Sequence, residues 1–166
     1  MRLPMLDGDP LSVYLTDHHA GSTFGMELAR RTRDENQGTD YGDFLARLAT
    51  EIEEDRDSLE AIMRRLEVSA DPVKVALAWT GEKIGRLKPN GTLVGYSPVS
   101  RLLELEALVA GVTGKLALWR ALKELAPRDG RLDEAQLDRL AERAQRQLTA
   151  LRIQQRRAAR AALAGS

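Results

Sequence analysis

Apolar residues recur along this chain at three- and four-residue spacing over long stretches, with turn residues falling between them. That period predicts helices and leaves no room for a sheet, since β-branched runs are absent. The helix ends are marked by cap-and-proline signals. Asp9-Pro10 opens a helix over 10–36, with Gly38 as its stop. Thr39 or Asp40 caps a second over 40–67, and Asp71-Pro72 opens a short third over 72–88, ended by Pro89-Asn90-Gly91. Ser97-Pro98 opens a fourth over 98–126, and after the Asp129-Gly130 turn a fifth runs over 133–163.

Four of these helices are about 27 to 30 residues long, roughly 40 Å at 1.5 Å per residue, which suits a four-helix bundle. The first and second, and the fourth and fifth, are joined by short connections and should form antiparallel hairpins. The stretch between the hairpins, with the short helix inside it, is long enough to travel the length of the bundle. The fourth helix would then run parallel to the second. A single domain over residues 1–166 is expected.

Composition narrows the function classes. The 25 basic and 25 acidic residues cancel, so the whole molecule carries no bulk attraction for nucleic acid or an anionic membrane. Cysteine is absent, which removes disulfides, thiolate metal sites and cysteine nucleophiles. No apolar run approaches the ~20 residues of a membrane span. With nothing secretory in the opening MRLPMLDGDP, a cytoplasmic location is expected, and the arginine-over-lysine bias points to a bacterial source.

The candidate chemistry is a small polar set inside the apolar stripes. The stretch YLTDHHAGSTFGMELARR holds both histidines. On a helical wheel His18 sits at the centre of the first helix's apolar face, among Leu11, Tyr14, Leu15, Ser22, Gly25 and Ala29. Asp55 is central on the second helix, among Leu48, Ile52, Leu59 and Ile62, with Glu51 at the edge. Glu106 falls inside the arc of Leu102, Leu105, Val109, Val112, Leu116 and Trp119, and Arg120 lies close enough to neutralise a buried acid. Folding the first hairpin about Gly38 sets Asp55 opposite Gly21 and His18 about one turn away. A buried carboxylate needs a partner. One reading pairs His18 with Asp55 as a hydrogen-bonded core contact. The other makes His18, Asp55, Glu51 and Glu106 ligands of Fe, Mn or Zn. Gly21 and Gly25 form a notch whose cost of about 1 kcal/mol each calls for close packing by another helix, or else for a ligand cavity.

The layout resembles the ferritin-like superfamily, especially its small bacterial stress-associated members. The segment FLARLATEIEEDRDSLEAIMRRLEV is similar to their second helix. The resemblance implies two hairpins joined by one crossover. It does not extend to the usual di-iron ligands, because Glu-x-x-His occurs nowhere in the chain, Glu54 turns away from its stripe and Glu27 falls opposite the apolar face.

Elsewhere, Trp79 and Arg86 on the short helix suit an interface. From Arg143 to Arg160 there are six arginines and no acids, whereas residues 34–67 hold 11 acids and 4 bases. The basic stretch either lies against the acidic helix or serves an acidic partner. The stripe Leu137, Leu140, Ala144, Leu148, Leu151, Gln155, Ala158 is heptad-like and suits a homodimer. Phosphate-binding and nucleophile-elbow motifs are missing. The expectation is a non-catalytic helical bundle without a cofactor, acting through self-association or partner binding. The alternatives are a metal-binding bundle and a nucleic-acid-associated one using the last helix.

Overall fold

In the computed structural model, residues 9–69 and 95–164 are described. They form four long helices, α1 (Pro10–Glu35), α2 (Gly42–Arg65), α3 (Pro98–Leu125) and α4 (Glu134–Leu163), with a 3₁₀ turn at Ala126–Arg128. No strand occurs among the described residues. The short helix expected over 72–88, and with it Trp79 and Arg86, lies outside them.

Three helix starts are those the sequence marks. Asp9 accepts from the Ser12 amide at 3.2 Å, Ser97 from Ser100 at 3.1 Å and Asp133 from Gln136 at 3.1 Å. The start of α2 differs from the expectation that Thr39 or Asp40 caps it. Tyr41 precedes Gly42 without a side-chain cap, and the Thr39 hydroxyl accepts from the Tyr41 amide inside the turn instead. Two glycines make this turn. Gly38 takes φ of 74°, and a Cβ on Gly42 would meet the Asn36 carbonyl oxygen at 3.0 Å.

The helices run as two antiparallel hairpins, α1–α2 and α3–α4. Arg31 on α1 reaches Glu104 near the start of α3, and Tyr14 lines a hollow together with Leu122 near its end, so α1 and α3 are antiparallel. Arg65 meets Gln136, Arg143 meets Glu54 and Arg157 meets Asp40, at 2.6, 2.8 and 2.5 Å, so α2 and α4 are antiparallel too. It follows that α3 runs parallel to α2, as the long connection between the hairpins permits. The core lies inside this square of helices and contains Leu15, Leu45, Leu59, Ile62, Leu105, Trp119, Leu122, Leu137 and Leu151.

Two features of the core depart from the wheels. The α3 arc extends round to Glu104, Leu108, Leu118 and Leu122, all buried, because α3 packs against both α1 and α4. Glu106 and Arg120 are consequently exposed. The α4 stripe is buried against the chain's own helices, with Leu137, Ala144, Leu148 and Leu151 in the core, so it is not free to pair with a second copy.

The end of the bundle near the α1–α2 turn is locked by polar side chains. Buried Asn36 donates to the Tyr96 hydroxyl and accepts from Arg101, whose guanidinium lies 4.6 Å from the Tyr41 ring centroid. Tyr96 in turn donates to Glu104 at 2.9 Å, which also takes Arg31. Burial pushes the Tyr96 hydroxyl well above its usual range.

Candidate functional site

Asp55 is 1 % exposed, at the centre of α2's inward face. Its partners come from the second hairpin. Arg143 of α4 donates through Nε at 2.8 Å and through Nη2 to Oδ1, and Lys115 of α3 donates to Oδ2. Gln147 of α4 completes the group. Its Oε1 accepts from Lys115 at 2.6 Å, and its Nε2 donates to Asp55 at 3.1 Å and to Glu51 at 2.9 Å. Arg143 further pairs with Glu54. Three helices are thereby tied at one buried carboxylate. Burial pulls the Lys115 amine below its ordinary range, and Asp55 opposes that shift.

His18 is therefore not the partner of Asp55. Two interhelix side-chain contacts mark the hairpin register, His19 to Glu60 at 2.9 Å and Arg30 to Glu53 at 2.6 Å. They place Asp55 nearer Gly25 than Gly21, about a turn from the wheel-based expectation. The His18 ring instead packs edge-on against Tyr14, with centroids 4.6 Å apart. Burial lowers its basicity, and Asp17 partly offsets that.

Of the four proposed metal ligands, Asp55 and Glu51 share Gln147, His18 lies on a separate wall, and exposed Glu106 faces Gln155 at 3.5 Å. Among the described residues no group of three or more His, Asp or Glu side chains is placed to hold a metal. At Asp55 the cationic positions are taken by Lys115 and Arg143.

What the sequence stripes do surround is a cavity of about 480 Å³ between α1, α2 and α3. Its wall includes His18, Gly21, Gly25 and Leu28 from α1, Ile52, Asp55, Arg56 and Leu59 from α2, and Gly111, Gly114, Lys115 and Trp119 from α3. The glycines are the surprise. A Cβ on Gly25, Gly111 or Gly114 would meet nothing within 4 Å. The notch on α1 is thus not filled by a close helix, as the packing expectation required; at Gly25 it faces open space across from a second notch on α3. Gly111 and its neighbour Ala110 are exposed, so the cavity opens to solvent beside them. The Trp119 indole N–H and the Arg56 Nε–H are buried without an acceptor among the described residues.

Sequence reasoning found His18, Asp55 and the glycines of α1 but missed Lys115, Arg143 and Gln147. A signal for Lys115 was available, since it is the sole charged residue between Glu106 and Arg120. No protein-family model, curated protein or solved structure matches the chain.

Proposed function

We propose that this chain is a non-catalytic, small-molecule-binding helical bundle of ferritin-like topology, with the ligand held between α1, α2 and α3. The observation that carries the reading is the pair of glycine notches facing open space. Glycine in a helix interior is about 1 kcal/mol worse than alanine, and at Gly25, Gly111 and Gly114 no neighbouring atom forbids a methyl group. Packing gives no return for that cost, whereas a ligand seated in the space would. The volume of about 480 Å³ falls in the range of small-molecule sites, and the wall is mostly apolar with a few polar groups converging on it. Two antiparallel hairpins joined so that α2 and α3 run parallel support the ferritin-like part of the reading.

The test uses Nile red, a neutral fluorophore whose emission shifts to the blue in apolar surroundings. The wild-type chain is expected to bind it saturably, one per chain. Gly25→Leu and Gly111→Leu, which put side chains into the cavity, are expected to weaken binding at least tenfold with circular dichroism unchanged. Binding that neither substitution weakens, or no binding at all, would sink the proposal.

A further inference from the structure

From the charges around the cavity we infer the class of its ligand: an apolar organic amine, with its ammonium group at Asp17 and its hydrocarbon body between the glycine notches. This rests on the cavity being a binding site. Asp17, Gly21 and Gly25 follow one another at four-residue spacing on α1, and all three border the cavity. Residues so spaced share one face of a helix, which sets Asp17 in line with the notch, at its end toward the start of α1. Gly25 lies about 12 Å from Asp17 along the axis, room for a fused-ring body. Asp17 is exposed, so at that end of the cavity a bound group still meets water.

The other charges of the wall are engaged within the chain. Asp55 takes Lys115 and Arg143, and Arg56 takes Glu60 at 2.7 Å. Asp17 differs, since among the described residues it forms no ion pair and no hydrogen bond. Its neighbour His18, also on the wall, does not supply the cation. Burial holds the imidazole below its ordinary value of 6.5, so it is largely uncharged at neutral pH. A ligand carboxylate would meet Asp17 as a like charge, and a neutral ligand would leave it unmatched. An ammonium group gains the pairing yet keeps part of its hydration, which avoids the cost of burying an ion. The hydrocarbon then lies along Leu28, Ile52 and the glycines of α1 and α3, where the wall is apolar.

Three naphthalene probes of similar shape separate the possibilities: the cation of 2-(aminomethyl)naphthalene, the neutral 2-(hydroxymethyl)naphthalene and the anion 2-naphthoate. Affinities are measured by calorimetry at neutral pH and low ionic strength. The amine should bind about three- to fivefold tighter than the alcohol, the range of an exposed ion pair, and the gap should shrink in high salt. Naphthoate should bind more weakly than the alcohol. Asp17→Asn should abolish the amine preference while leaving alcohol affinity and circular dichroism unchanged. Asp57→Asn removes the same charge from an exposed position off the wall and should keep the preference. Equal affinity for amine and alcohol, a preference that survives Asp17→Asn, or tighter binding of naphthoate overturns the ligand class and leaves the cavity proposal standing. Failure of all three probes to bind removes both.

Discussion

Asp55 shows how much one buried side chain depends on helices far away in sequence. Its carboxylate is satisfied by Lys115, Arg143 and Gln147, which sit 60, 88 and 92 positions along the chain. Removing it leaves a lysine, an arginine and a carboxamide facing one another in the core. Asp55→Ala is expected to cost about 3 kcal/mol of stability in urea unfolding. Lys115→Met should cost less than Asp55→Ala, because Arg143 and Gln147 still hold the carboxylate. The two histidines give a second prediction. Burial holds His18 below its ordinary value of 6.5, so the unfolded chain takes up more protons than the folded one as the pH drops. Stability should therefore be lost as the pH falls from about 6.5 toward the lower folded value, and His18→Gln should flatten that window. The His19 hydrogen bond, first among its causes, holds the Glu60 carboxyl below 4.5, so loss from that group begins only at more acidic pH. Melting temperatures of both chains across pH 4 to 8 separate the two (~6.5 against ~4.5).

At the scale of the element, α1 and α3 carry glycines where helices elsewhere in the bundle carry alanine or leucine. Because a Cβ on Gly25 or Gly111 meets open space, Gly25→Ala and Gly111→Ala should each raise stability by about 0.5–1 kcal/mol, read from urea midpoints. The same substitutions should reduce Nile red affinity only slightly, since a methyl group occupies little of the cavity. A drop in stability would mean that the notches are already packed. The helix periods and cap signals were legible in the sequence because they are local properties, governed by residues within one or two turns. The α4 face was read nearly residue for residue, short of Gln147, whereas the α2 stripe left out Leu45, Ala49 and Met63, which are buried. The α3 face was misjudged at Glu104 and Glu106, since an arc drawn for one neighbour is too narrow for a helix that serves two.

Over the whole molecule, charge is arranged so that acidic α2 lies beside basic α4. Arg143 and Arg157 are engaged with Glu54, Asp55 and Asp40 within the chain. The arginine-rich stretch is thus partly spent on the bundle's own assembly. The protein is accordingly expected to elute from heparin at low salt, and retention into high salt would revive an acidic partner for α4. A chain with Asp40→Lys, which frees Arg157, should be retained longer than the wild type.

Local signals in the chain specify that it is helical, where three of its four long helices begin, and that Asp55 would be buried and need a partner. These follow from side-chain period and capping, which act over a few residues. The identity of that partner comes from the assembled bundle, because Lys115, Arg143 and Gln147 reach Asp55 from two other helices that a single-helix wheel does not contain. The tertiary structure also decided the meaning of the glycines. A missing side chain reads the same in sequence whether a neighbouring backbone fills the space or nothing does, and here a Cβ on Gly25 would meet nothing within 4 Å.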